Sequence, residues 1–166
     1  MINIKTQILK KNQLTKKLIE EICYLKLQHW KNSISSQTEW FKTNIKPNDL
    51  NFLLIKKKKL IGYVLLRRRT FKLKKLKKKY YYFDTLIIDR KHRGKNLSSQ
   101  LMLATKNKII QRKEHSFLIC RKKLINFYKK FGWYLFKKKE FIIDDHTYDK
   151  KYGMFLNLKS PKKKIK

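Results

Sequence analysis

"RKHRGKNLSSQLM", residues 90–102, follows the apolar run "YYYFDTLII" (80–88) and opens onto residues with helical spacing, Leu97, Leu101, Ala104 and Ile109. The order is strand, short basic turn, helix start. The first amides of a helix have no internal partners, and the aligned peptide dipoles add positive potential there. A turn leading from a buried strand into such an end holds a pyrophosphate with backbone N–H groups alone, provided its residues are small enough to let the anion approach. Gly94, Asn96 and Ser98 meet that condition. Glycine has no Cβ, asparagine is the non-glycine residue that best tolerates positive φ, and a serine hydroxyl serves free amides. The plainer alternative is a basic turn that caps an ordinary helix.

Upstream of this turn the sequence opens with "INIKTQIL" (2–9), which alternates as a strand does. Leu14, Leu18, Ile22 and Leu25 then recur at helical steps, predicting a helix to about Trp30. After the polar "KNSISSQ" a second helix is expected over Gln37–Asn44, with Ser36 as its cap and Glu39 three residues on. "NFLLI" (51–55) and "LIGYVLL" (60–66), joined by four lysines, read as a hairpin. "RRRTFKLKKLKKK" (67–79) has nine basic residues in thirteen and extends that hairpin or loops beyond the sheet. Downstream, "SFLIC" (116–120) reads as a buried strand and "KLINFYKKFGW" as a short helix closed by a left-handed Gly132. "YLFKKKEFII" (134–143) and "YGMFLNL" (152–158) read as the last two strands, and the lysine-rich end, 160–166, as a disordered tail. The expected order is β-α-α-β-β-β-α-β-α-β-β, an α/β (α+β) fold with a mixed, mostly antiparallel sheet of 6–7 strands flanked by about four helices. Residues 1–159 form one domain on this reading, since 166 residues suit one core.

The net charge is +34, from 45 Lys and Arg against 11 Asp and Glu. Such a charge attracts polyanions, yet Lys outnumbers Arg 38 to 7 and Ile, Asn, Phe and Tyr are abundant, as AT-rich codon usage also produces. Both explanations stay open. Cys23 and Cys120 form no CxxC pair and no metal-ligand spacing, so a metal-free, reducing, cytoplasmic setting is expected. No apolar run approaches the ~18 residues that span a bilayer, and "MINIKTQILKKNQL" has neither the apolar core of a signal peptide nor the arginines and serines of a transit peptide.

The turn resembles the acyl-CoA-binding motif of the GNAT acyltransferase superfamily, Arg/Gln-x-x-Gly-x-Gly/Ala after the fourth strand, with Arg93, Asn96 and Ser98 at the matching positions and Gly94 between them. "INFYKKFGW" resembles the same family's "FYxxxGF" segment, at the appropriate distance. The resemblance covers the chain through element order, and Leu86–Trp133 through motifs. It implies acetyl-CoA as acyl donor and an amine acceptor, with direct attack in a ternary complex and a GNAT-like fold. It further implies that Leu86, Ile87, Ile88, Arg93, Gly94, Lys95, Asn96, Leu97 and Ser98 hold the donor, and that Tyr128 protonates the departing thiolate. Arg121 stands where family members often carry a CoA-contacting asparagine. Backbone amides over Ile87–Asp89 would polarise the thioester carbonyl.

A protonated amine needs a base, and Asp84 on the fourth strand is the first candidate, against the alternative of a strand carboxylate paired with a surface cation. For the acceptor side the resemblance points to His29, Trp30 and Glu39 near the two N-terminal helices. It also points to the cluster Asp144, Asp145 and Asp149 in the turn before the last strand, which reads equally as a solvated turn. On this resemblance the acceptor would be a protein N-terminus, a ribosomal protein, a small amine or an amino sugar. The competing reading is a basic nucleic-acid or ribosome-associated module on a degenerate, inactive version of the fold.

Overall fold

The computed structural model describes residues 4–73, 76–136, 141–143, 146–148 and 152–157. Strand β1 (Ile4–Lys10) pairs antiparallel with β2 (Leu50–Lys56), so the N-terminus forms one edge of the sheet. Between them lie α1 (Lys16–Leu27) and α2 (Ile34–Asn44). Thr15 caps α1 by accepting from the Leu18 amide at 3.2 Å. Ser33 caps α2 by accepting from the Ser36 amide at 3.1 Å, three residues before the expected cap. The earlier start places Ile34, Gln37 and Phe41 on one stripe against the sheet. Helix α1 stops before Trp30: Gln28 is its C-cap, still right-handed, and its carbonyl accepts from the Arg90 guanidinium.

Strands β3 (Lys59–Leu73) and β4 (Leu76–Ile88) form one long hairpin, so the described part of "RRRTFKLKKLKKK" carries β3 past its pairing with β2 and begins β4, where the expectation was an extension of the first hairpin or a loop beyond the sheet. Helix α3 (Leu97–Gln111) returns the chain to β5 (Ser116–Cys120), and α4 (Ile125–Lys129) leads to β6 (Tyr134–Leu135). The seven-stranded sheet runs β1-β2-β3-β4-β5-β9-β6, where β9 is Tyr152–Leu156. Among the described strands only β4 and β5 pair in parallel.

The single strand expected over 134–143 is divided. β6 pairs with β9 at Tyr134↔Phe155 and Leu135↔Met154, and the Phe136 amide adds one bond to Gly153 O at 2.8 Å. β7 (Phe141–Ile143) pairs instead with β8 (His146–Tyr148) in a separate two-stranded sheet. Asp144, Asp145, Asp149 and the tail 160–166 lie outside the described residues.

Two apolar clusters cover the two faces of the sheet. On one, Phe52, Val64, Phe83 and Ile88 pack beneath Leu101 and Met102 of α3 and Tyr128 of α4. On the other, Leu53, Tyr63, Leu65 and Ile87 pack beneath Ile22 and Leu25 of α1 and Phe41 of α2. Beyond the end of β2, three successive arginines of β3 each meet an acid. Arg67 pairs with Asp84 at 3.2 Å, Arg68 with Glu114, and Arg69 with fully buried Asp49 at 3.3 Å. None of the described helices is long and apolar enough to cross a membrane.

Candidate active site

The register of β4 builds the site. Leu65 lies opposite Thr85 and Leu66 opposite Phe83, so Asp84 is the extra residue of a β-bulge. Farther along, the Asp89 amide donates to Ile61 O at 2.9 Å. Hydrogen-bonded and non-bonded pairs alternate in an antiparallel ladder, so the amides of Leu86 and Ile88 turn away from β3. They face the side where β5 has departed, since β4 and β5 pair only at Tyr81↔Ser116 and Tyr82↔Phe117. The Ile88 amide thus points into the splay. The Asp89 amide is spent on β3, and Ile87 faces Tyr63 in the same ladder with its side chain in the core beneath α1 and α2, so neither contributes as expected.

After β4 a 3-10 turn (Arg90–His92) leads to Gly94 at φ +76° and Asn96 at φ +55°. A Cβ on Gly94 would meet nothing within 4 Å, so its requirement is conformational rather than steric within the protein. Asn96 is the left-handed residue before α3, and its side chain accepts from the Ser99 hydroxyl. Among the described residues, the amides of Gly94, Lys95, Asn96, Leu97 and Ser98 make no hydrogen bond. Five consecutive donors at the positive end of a 15-residue helix are therefore without a partner among the described residues.

Beside them lies a cavity of 290 Å³. Leu86 and Ile88 of β4 form one wall, the turn residues Arg93, Gly94, Asn96, Leu97 and Ser98 another, and Tyr128 a third. His92, Leu124 and Phe127, which the sequence reading passed over, also line it. Tyr128 is 8 % exposed and packs edge-on against Phe83, Phe127 and Trp133. Burial holds its phenol well above the usual tyrosine range, with the Cys120 sulfur adding to the effect. Cys120 is itself buried and its thiol is pushed up to about 11.

Lys95 and Arg121 are exposed and do not line the cavity. Lys95 offers its amide only, and Arg121 precedes a 3-10 turn (Lys122–Leu124) without capping it. The Arg93 guanidinium bends back: Nε donates to Ile88 O at 3.1 Å and a terminal nitrogen lies 2.7 Å from His29 Nε2. His29 therefore props the turn rather than lining an acceptor cleft. Burial and the neighbouring Arg93 and Arg90 hold its imidazole below the usual histidine range, which keeps Nε2 an acceptor. Gln28 strengthens the same junction, donating to Asp89 Oδ2 at 2.8 Å and accepting from the Arg90 amide at 2.9 Å. Burial works against the Asp89 carboxylate, but hydrogen bonds from Gln28, His92 and the Lys91 amide hold it below the usual range.

A second cavity, of 230 Å³, opens on the α1–α2 face and is lined by Trp30, Trp40, Asp84 and Thr85 together with Lys26 and Gln37. Glu39 is exposed and outside it. Burial raises the Asp84 carboxyl, while Arg67, Lys26 and Arg69 oppose the rise. Lys26 and Gln37 escaped the sequence reading, although Lys26 follows Ile22 by four and Gln37 precedes Phe41 by four, both on buried stripes where a polar residue is a signal. Among the described residues no group of three His, Cys, Asp or Glu side chains gathers as a metal site would require.

The sequence matches the Acetyltransferase (GNAT) family over residues 16–133, which takes in both helices of the second cavity, the turn and Tyr128. The chain belongs to the GNAT acetyltransferase family. Several solved structures share its fold at low identity. Escherichia coli ElaA superposes with a TM-score of 0.68 at 17% identity, covering 93% of this chain and 99% of that one. The ribosomal-protein-S18-alanine N-acetyltransferase from Escherichia coli gives 0.65 at 14% identity, covering 98% and 99%. An aminoglycoside 6'-N-acetyltransferase complexed with coenzyme A gives 0.64 at 10% identity, covering 90% and 94%. No curated protein matches the sequence.

Proposed function

We propose that this GNAT protein transfers the acetyl group of acetyl-CoA to a primary amine by direct attack. The observation that carries the reading is the row of unpartnered amides from Gly94 to Ser98 beside a cavity that also holds the Ile88 amide and Tyr128. The amides and the helix dipole would take the pyrophosphate. The thioester would lie along the Leu86–Ile88 edge, with the Ile88 amide donating to the carbonyl oxygen as charge develops. The amine nitrogen forms a bond to the carbonyl carbon, the C–S bond breaks, and the departing sulfur takes a proton from the Tyr128 hydroxyl. The proton lost by the amine goes to Asp84, directly or through water. Cys120 is buried and protonated, so it offers no thiolate for an acyl-enzyme, which favours a ternary complex.

Calorimetry with acetyl-CoA tests this. Ser98→Glu puts a carboxylate where the phosphates would sit and should lower affinity by about tenfold or more, while Lys17→Glu, at the far end of α1, removes more positive charge and should change it little. Equal losses in the two variants would mean that the overall charge, and not the turn, captures the donor.

A further inference from the structure

The second cavity carries a charge pattern of its own. Lys26 is 7 % exposed, lies in the cavity wall, and has its Nζ 3.8 Å from the centroid of the Trp40 ring. Among the described residues it forms no ion pair. Burial lowers the affinity of its amine for the proton, and the nearby Asp84 partly restores it. Cations this far out of water are normally matched by an anion, because a ring face replaces only part of the lost hydration. Asp84, the one carboxylate lining the cavity among the described residues, already pairs with Arg67 at 3.2 Å. Gln37 is 4 % exposed, lines the same cavity, and its side-chain amide has no hydrogen-bond partner among the described residues. The cavity thus presents a positive end at Lys26, a neutral amide with donor and acceptor to spare, and a carboxylate at the β4 bulge.

We infer that the acceptor is an amine carrying a carboxylate close to it, a free acidic amino acid or a peptide with an acidic first residue, with Lys26 as the carboxylate's partner. This rests on the acetyl-transfer reading above. The ammonium goes toward Asp84, beside the splay where transfer would occur, and the carboxylate toward Lys26. Trp30 and Trp40 flank the carbon skeleton between them. A polycationic amine is disfavoured twice, by Lys26 and Arg67 at close range and by the net charge of +34 at long range. The fold shared with an aminoglycoside acetyltransferase does not extend to that acceptor chemistry.

Initial-rate thiol release from acetyl-CoA at moderate salt tests the inference, with four acceptors: free glutamate, a glutamate-initiated tetrapeptide, the matching lysine-initiated tetrapeptide and kanamycin. One of the first two should exceed both cationic acceptors in kcat/KM by about tenfold or more, and which one leads tells the free amino acid from the peptide. Lys26→Met should lower that ratio, and Lys26→Glu should reverse it. Lys17→Glu should leave it unchanged, which separates the cavity from the general field. Acetyl-CoA calorimetry on each variant reports that the donor site is intact. A wild-type preference for the lysine peptide or kanamycin overturns the inference, as does a ratio that Lys26→Glu does not move. So does the absence of thiol release with all four acceptors from protein that binds acetyl-CoA. Failure to bind acetyl-CoA at all would instead remove the transferase reading, and this inference with it.

Discussion

Tyr128 combines a phenol held above its usual range with a hydroxyl that bonds to no other described residue. It is therefore a protonated acid throughout the neutral range, and losing the hydroxyl costs the core little. Tyr128→Phe should lower kcat about 10²-fold while leaving acetyl-CoA affinity and melting temperature near wild type. A variant that melts early would mark the residue as structural. His29 behaves in the opposite way. Its folded-state affinity for the proton is below that of the unfolded chain, so its contribution to stability is complete above about pH 6.5 and is lost as the pH falls. Thermal melts at pH 7.5 and 5.5 should show a drop that His29→Gln reduces, because glutamine accepts from Arg93 without titrating. An equal drop in both proteins would place the acid sensitivity elsewhere. At this scale the sequence was legible where a residue's backbone demands are special. Gly94 and Asn96 do take positive φ. It was illegible where a long side chain chose among distant partners, as when Arg93 turned to His29 and Ile88 O.

Among the elements, β3 and α3 meet closely at Gly62. A Cβ built there would lie 2.8 Å from Ile88 Cδ1, 3.1 Å from Leu101 Cδ1 and 3.2 Å from Leu54 Cβ. Its backbone has no positive φ, so the requirement is space alone. Gly62→Ala should cost about 1–3 kcal/mol by overpacking in a denaturant melt. It should also weaken acetyl-CoA binding, because Ile88, the side chain that must give way, lines the donor cavity. Unchanged stability would show that Ile88 rotates freely. Periodicity made most elements readable, since alternation and helical spacing follow directly from which face is buried. At element ends it failed for a common reason. The start of α2 was set by Ser33 rather than Ser36, and the end of α1 by the Arg90 guanidinium on the Gln28 carbonyl. Both depend on what lies alongside, which a single stretch of sequence does not encode.

For the molecule as a whole, the net charge of +34 meets local compensation at a few points among the described residues. Asp49, Asp84 and Glu114 are taken up by the three arginines of β3, and Asp89 by the junction of α1 with the turn. Most of the remaining Lys and Arg side chains have no acid beside them among the described residues, so the fold carries like-charge repulsion. Two opposite salt effects follow. Raising NaCl from about 0.1 to 1 M shortens the screening length from about 10 to about 3 Å, which relieves self-repulsion and should raise the melting temperature. The same change screens attraction for the phosphates of acetyl-CoA and should weaken its binding. Composition bias alone and selection for anions both predict a salt slope, so the slope by itself does not separate them. The comparison that does is Ser98→Glu, which should bind more weakly at every salt concentration with nearly the wild-type slope, because it alters the local turn and leaves the distant lysines in place. Convergence of wild type and variant at high salt would mean that the turn acts only through long-range charge, and the five free amides would then have no local role in holding the donor.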